Sequence, residues 1–135
     1  MGVAIGEPVE AAREALEVAV AAACVGDSWL RANPVDVEWW GGQFASGSLP
    51  AHSDLVQRVQ AVHHVASGGA PLEVYAAPYG SDLRLLTELG GIATLQYGPG
   101  DAKLAHGPAE SVPLDEVVVT ARSLALLALD LCGIA

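Results

Sequence analysis

Tyr97-Gly98-Pro99-Gly100-Asp101-Ala102-Lys103-Leu104-Ala105-His106-Gly107-Pro108-Ala109-Glu110 puts a histidine and carboxylates into a loop shaped by glycine and proline. The apolar run Ile92 to Tyr97 leads into this loop, and an apolar segment opened by Pro113 follows it. A strand, a stiff loop and a helix are therefore expected in that order. In α/β folds, ligand-binding groups collect at the ends of strands. A neutral imidazole held in such a loop is a natural ligand for Zn²⁺ or another first-row metal. Catalytic metal sites usually draw on at least three protein ligands, and this loop offers one or two. The chain thus reads as part of a metal site.

Working towards the N-terminus, Leu72 to Tyr75 has the composition of a second strand, followed by the loop Ala76 to Asp82. A short helix is expected from Asp82 to Leu89, stopped by Gly90-Gly91. Ser53 or Asp54 can cap a helix whose Leu55, Val56, Val59 and Val62 share one face and which Gly68-Gly69 ends. From residue 51 the order is helix, strand, helix, strand, helix, an alternation that implies a parallel sheet covered by helices.

Before residue 50 the pattern is different. Val3 to Ile5 reads as the end of a strand. Pro8 opens, and Gly26 closes, a helix with Val9, Ala12, Leu16, Ala19, Val20 and Ala23 on one face. Arg13 and Glu17 lie one turn apart on the opposite face. After a linker from Asp27 to Pro34, Val35, Val37 and Trp39 alternate with Asp36, Glu38 and Trp40, as in a half-exposed strand. The small, polar run Ala45 to Pro50 is a candidate hinge or domain boundary. Strand-helix-strand is half of a split β-α-β unit. Both parts look incomplete, because two parallel strands do not make a stable open sheet.

The composition excludes several classes of function. A formal charge of −10 with only six basic residues leaves no basic stripe for nucleic acid. No apolar run is long enough to span a membrane, and the most apolar segment, Val117 to Leu131, carries Arg122 and Asp130 and reads as a buried terminal helix. The N-terminus lacks a basic n-region, so no secretory signal is expected. Cys24 and Cys132 suggest reduced, buried thiols in a cytoplasmic protein.

Among residues able to carry chemistry, His106 has the backbone context most clearly built for position. Glu110 can orient it or cap the last helix, and Asp101 suits a side-chain-to-backbone turn. Arg84 stands in the first turn of a short helix, where the dipole disfavours a cation. Its planar fork can grip a carboxylate, or it can pair with Glu88 one turn on. Ser81 has no His-Asp partners in sequence and is not read as a nucleophile. His63-His64 read as solvated cations at a helix end, and His52 as a loop residue. Trp29, Trp39 and Trp40 read as packing or interface residues.

Pro78-Tyr79-Gly80-Ser81-Asp82-Leu83-Arg84-Leu85-Leu86, Gly98-Pro99-Gly100-Asp101 and Ala105-His106-Gly107-Pro108-Ala109-Glu110 together resemble the C-terminal end of the M20 metallopeptidase family of deacetylases, desuccinylases and aminoacylases. Asn33 to Phe44 resembles the strand that returns from that family's lid to its catalytic domain. The resemblance implies an α/β fold. Residues 1–48 would be the strand-helix-strand end of a ferredoxin-like lid that mediates dimerisation. Residues 49–135 would be the end of a zinc-exopeptidase-like catalytic domain. It also implies that His106 binds one ion of a two-zinc site, that Arg84 holds the substrate carboxylate, and that Gly98 and Gly100 lie beside the substrate; Asp82 and Glu110 are candidates for supporting roles beside them.

The family's His-x-Asp metal motif and Glu-Glu pair have no convincing counterpart. His52-Ser53-Asp54 fits the spacing but stands at a helix start, and no Glu-Glu dipeptide occurs. The expectation is therefore the C-terminal part of a zinc-dependent hydrolase acting on N-acyl amino acids or small peptides, from a truncated or split gene or a gene fragment, and inactive alone. The alternative is a non-catalytic remnant that folds alone or dimerises through its lid half.

Overall fold

The computed structural model describes residues 2–42 and 44–133, and it divides into two compact units. One comprises Met1–Ser48 with Ala77–Ile92, and the other Leu49–Ala76 with Ala93–Ala135. Four α-helices are present among the described residues: α1 (Val9–Gly26), α2 (Ser28–Ala32), α3 (Asp54–Ser67) and α4 (Leu114–Cys132). A π-helical turn spans Leu85–Leu89 and a 3-10 turn spans Ala102–Leu104.

In the first unit α1 starts behind Pro8, whose carbonyl accepts from the Ala12 N–H at 3.2 Å. Ala12 and Cys24 are its buried residues. Asp27 ends α1 and caps α2, its Oδ1 accepting from the N–H groups of Trp29 at 2.8 Å and Leu30 at 2.9 Å. The segment expected to be a linker thus contains a helix, and aspartate is a favoured N-cap residue. Trp39 lies against α1, its Nε1 donating to Glu17 Oε1 at 2.8 Å and its ring 5.4 Å from the Arg13 guanidinium carbon. Arg13 and Glu17 both meet the indole. By contrast, Trp40 is 85% exposed.

In the second unit Ser53 caps α3, its Oγ accepting from the Val56 N–H at 3.3 Å. At the other end Gly68 takes a left-handed φ of 74°, which lets the Gly69 N–H reach the His64 carbonyl at 2.8 Å and close the helix. Val56 and Val59 are buried on α3, and α3 packs on α4, where Ser123 is buried with its hydroxyl donating to the Val119 carbonyl at 2.9 Å. Arg58 of α3 bridges Asp54 and Asp130, the latter at 2.6 Å on α4. These two carboxylates, Asp54 foremost, push the Arg58 guanidinium pKa above its usual value.

The expected α/β architecture is not what the structure contains. Among the described residues there is no β-strand, so neither a parallel catalytic sheet nor a strand-helix-strand lid is present. Val3 to Ile5 leads into a turn, the Glu7 N–H donating to the Ala4 carbonyl at 3.1 Å. Residues 35–40, 72–75 and 92–97 have no regular secondary structure. Apolar alternation tells which face a segment would bury. A ladder also needs a second segment at hydrogen-bonding distance along its whole length, and that requirement is tertiary. The residues that open α1, α3 and α4, by contrast, act within a few residues of chain.

Burial also departs from expectation. The terminal helix expected to be buried leaves Leu124, Leu129 and Leu131 exposed, and Cys132 is exposed while Cys24 is buried. Among the described residues no helix is long and apolar enough to cross a membrane.

Candidate functional site

The loop after Tyr97 is tied to both helices of its unit. The phenol of Tyr97 lies 2.8 Å from Nδ1 of His63 on α3. Gly100, with φ of 87°, donates its N–H to Glu116 Oε2 on α4 at 2.8 Å. A side chain at Gly100 would be strained by that φ and would press on Val112, 3.3 Å from the position of a Cβ. Asp101 Oδ1 accepts from the Lys103 N–H at 2.9 Å and starts the 3-10 turn. Gly98 and Gly100 are exposed.

His106 follows that turn with φ of 63°, and it is the non-glycine residue with positive φ among those described. Imidazole-bearing residues visit this region at a cost, and such placements gather at functional sites. Its N–H donates to Glu110 Oε2 at 3.1 Å, while the Glu110 N–H donates to the Gly107 carbonyl at 3.1 Å. Glu110 therefore holds the backbone of His106. The N-terminus of α4 is started by Pro113, without a side-chain cap. Both His106 and Glu110 are exposed.

Among the described residues no group of three or more His, Cys, Asp or Glu side chains is placed to hold a metal ion. The donors among the described residues therefore do not by themselves fit a zinc site. The near-match His52-Ser53-Asp54 is accounted for by helix initiation, since Ser53 is the N-cap of α3 and Asp54 pairs with Arg58.

Arg84 and Asp82 belong to the first unit. Arg84 immediately precedes the π-helical turn with φ −59° and ψ −41°, and it is half-buried. The turn is pinned by the Leu86 N–H to the Asp82 carbonyl at 3.3 Å and the Gly90 N–H to the Leu85 carbonyl at 2.9 Å. Ser81 Oγ accepts from the Leu83 N–H at 3.3 Å, a local turn contact, and Asp82 is exposed.

Three contacts, two within the second unit and one within the first, have no counterpart in sequence spacing. They are the Tyr97–His63 pair, the Gly100–Glu116 bond and the approach of Gly47 to the Arg84 backbone. Glu116 had one visible signal, an acidic residue in the first turn of α4, but that position is satisfied equally well by the helix dipole. His63, read as a solvated cap together with His64, is half-buried and partnered, whereas His64 is exposed.

The family model described as peptidase family M20/M25/M40 matches residues 1–130. The chain belongs to the M20 peptidase family. An acetylornithine deacetylase of Myxococcus xanthus is 38% identical over 68 residues, 50% of this chain and 17% of the relative. An N-formyl-4-amino-5-aminomethyl-2-methylpyrimidine deformylase of Halalkalibacterium halodurans is 27% identical over 114 residues, 78% of this chain and 26% of the relative. The chain thus spans about a quarter or less of the length of these M20-type relatives. No solved structure matches the chain significantly.

Proposed function

We propose that this chain is the C-terminal part of an M20 amidohydrolase that releases an acyl group from the nitrogen of an N-acyl amino acid or a small peptide. The observation that carries this reading is the family match over residues 1–130. Two relatives are named for removing an acetyl and a formyl group, which is the same bond class. In this reading residues 1–48 serve dimerisation and residues 49–135 serve catalysis, in a cytoplasmic enzyme.

Amide hydrolysis needs a positioned substrate, an activated water and a proton for the leaving amine. The chain's contribution is positional. Arg84 holds the substrate carboxylate through two parallel N–H···O bonds, and its planar fork fixes direction as well as charge. Gly98 and Gly100 let the substrate approach the backbone, and Asp82 and Glu110 support their neighbours. The two-zinc chemistry of the family would polarise the carbonyl. His106 would offer one imidazole towards it, and the donors among the described residues do not complete such a site.

Co-expression with a polypeptide carrying the family's His-x-Asp and Glu-Glu motifs, followed by an assay on N-acetyl and N-formyl amino acids, tests the proposal. Hydrolysis is expected from the pair and not from this chain alone. Arg84→Ala and Arg84→Lys in the pair should raise KM for N-acyl amino acids more than for amides lacking the carboxylate. A folded, associated pair without amidase activity would overturn the reading. A second reading, a non-catalytic module that self-associates, draws on the 85% exposure of Trp40. Sedimentation of Trp40→Ser against the parent chain tests that self-association, and amidase activity of the co-expressed pair separates the two readings.

A further inference from the structure

Gly47 stands beside the backbone of Arg84 with no room for a side chain between them. A Cβ at Gly47 would lie 2.7 Å from both the N and the Cα of Arg84 and 3.1 Å from its Cβ. Real Cβ atoms do not approach backbone so closely, so only hydrogen fits between the two segments. Gly47 is not among the glycines with positive φ. Its lack of a side chain therefore answers a demand for space, not for an unusual conformation.

Each segment is tied to its surroundings. On the Gly47 side, Ala45 to Leu49 is half-buried, and the neighbouring Ser46 Oγ accepts from the Gly6 N–H at 3.2 Å. On the Arg84 side, the chain is held by the bonds of its helical turn, to which the Ile92 N–H adds a bond to the Leu86 carbonyl at 2.8 Å. The close approach falls at the Arg84 Cα, where the Cα–Cβ bond leaves the backbone. The run containing Gly47, which composition marks as flexible, is a wedge beneath the arginine.

We propose that Gly47 is a positioning residue: its close approach sets the stance from which the Arg84 guanidinium receives a carboxylate. This inference rests on the reading of Arg84 as the carboxylate-binding residue. A bidentate pair needs both N–H bonds in one plane with the carboxylate, so a displacement at the Cα is magnified along the side chain to the fork. Gly47 lies against the N, Cα and Cβ of Arg84, at the root of the side chain and away from its fork.

The test uses the full chain labelled with ¹⁵N-arginine, following the Arg84 Nε–Hε resonance during titration with N-acetylglycine and with N-acetylglycinamide. The parent chain should show a saturable shift with the carboxylate and a much smaller response to the amide. Gly47→Ala should weaken the carboxylate response by roughly five-fold or more, since sub-ångström to ångström misplacement of a binding group costs large factors. Gly26→Ala is the control, because a Cβ there meets open space. Ser46→Ala, which frees the wedge without adding an atom, should weaken the response by a smaller factor, and it decides the matter if Gly47→Ala does not fold. A parent-like response in Gly47→Ala, or in Ser46→Ala where only that variant folds, overturns the positioning role while leaving Arg84 as the carboxylate binder. Equal responses to acid and amide in the parent chain overturn the Arg84 reading, and the role of Gly47 with it.

Discussion

Tyr97 and His63 form a pair across the second unit: the phenol oxygen lies 2.8 Å from Nδ1, and the rings meet edge to face with centroids 5.9 Å apart. One member stands on α3 and the other opens the loop that carries His106. Removing the hydroxyl in Tyr97→Phe leaves the ring contact but deprives the imidazole of its partner. A loss of roughly 1 kcal/mol in urea unfolding is expected, the size of one hydrogen bond in a half-buried setting. His64→Ala, at the exposed neighbour, should change stability by less than about 0.5 kcal/mol. Equal effects at the two sites would show that the pair carries no weight.

His106 is held at φ 63° in a region that side chains with a Cβ occupy at a cost. His106→Gly should therefore unfold at a higher urea midpoint, by up to about 1 kcal/mol of stability, after allowing for the greater freedom of glycine in the unfolded chain. The same substitution should abolish most activity in the complemented enzyme. Stabilisation together with inactivation would be the mark of a residue held in a strained conformation for its chemistry.

Calorimetric titration of the chain with Zn²⁺ should show no tight stoichiometric site. One imidazole with nearby carboxylates falls short of the usual ligand set, and no group of three donors occurs among the described residues. A sharp one-to-one isotherm would contradict this and would point to donors pooled between copies of the chain.

Arg58 joins α3 to α4 through Asp130 and is bonded to Asp54 within α3. Its pKa is raised by the Asp54 and Asp130 carboxylates. A base whose folded pKa is raised lends stability that is fully present below its unfolded value and is lost only as pH climbs through the folded one. The guanidinium should therefore produce no loss across the neutral range, and any loss it causes belongs at strongly alkaline pH. The side chains are partly exposed, so the benefit is screened by salt. Thermal unfolding of Asp130→Asn should fall below that of the parent at low salt and converge with it at high salt. A gap independent of salt would indicate a packing role instead.

How much could be read in advance follows from the range of each interaction. Pro8, Ser53, Gly68 and Pro113 announce α1, α3 and α4, because a helix closes its bonds within four residues and its caps within a few more. Asp27 announces α2 in the same terms, inside the stretch whose composition suggests a linker. The family, and with it His106 and Arg84 as candidates, could be read from short motifs whose spacing is a property of the chain alone.

Three features depended on segments distant in sequence meeting in space, and only the tertiary structure decided them. Alternating apolar residues at 35–40, 72–75 and 92–97 did not become strands, because a ladder exists only where a second backbone lies alongside. His63 and His64 look alike as neighbours, yet the turn of α3 brings one of them to Tyr97 and leaves the other in solvent. Gly47 looks like a hinge residue until the backbone of Arg84 is found where a side chain would have to go. Sequence determines local conformation because its energies are local. Which side chains share a site is settled by where the chain returns to itself.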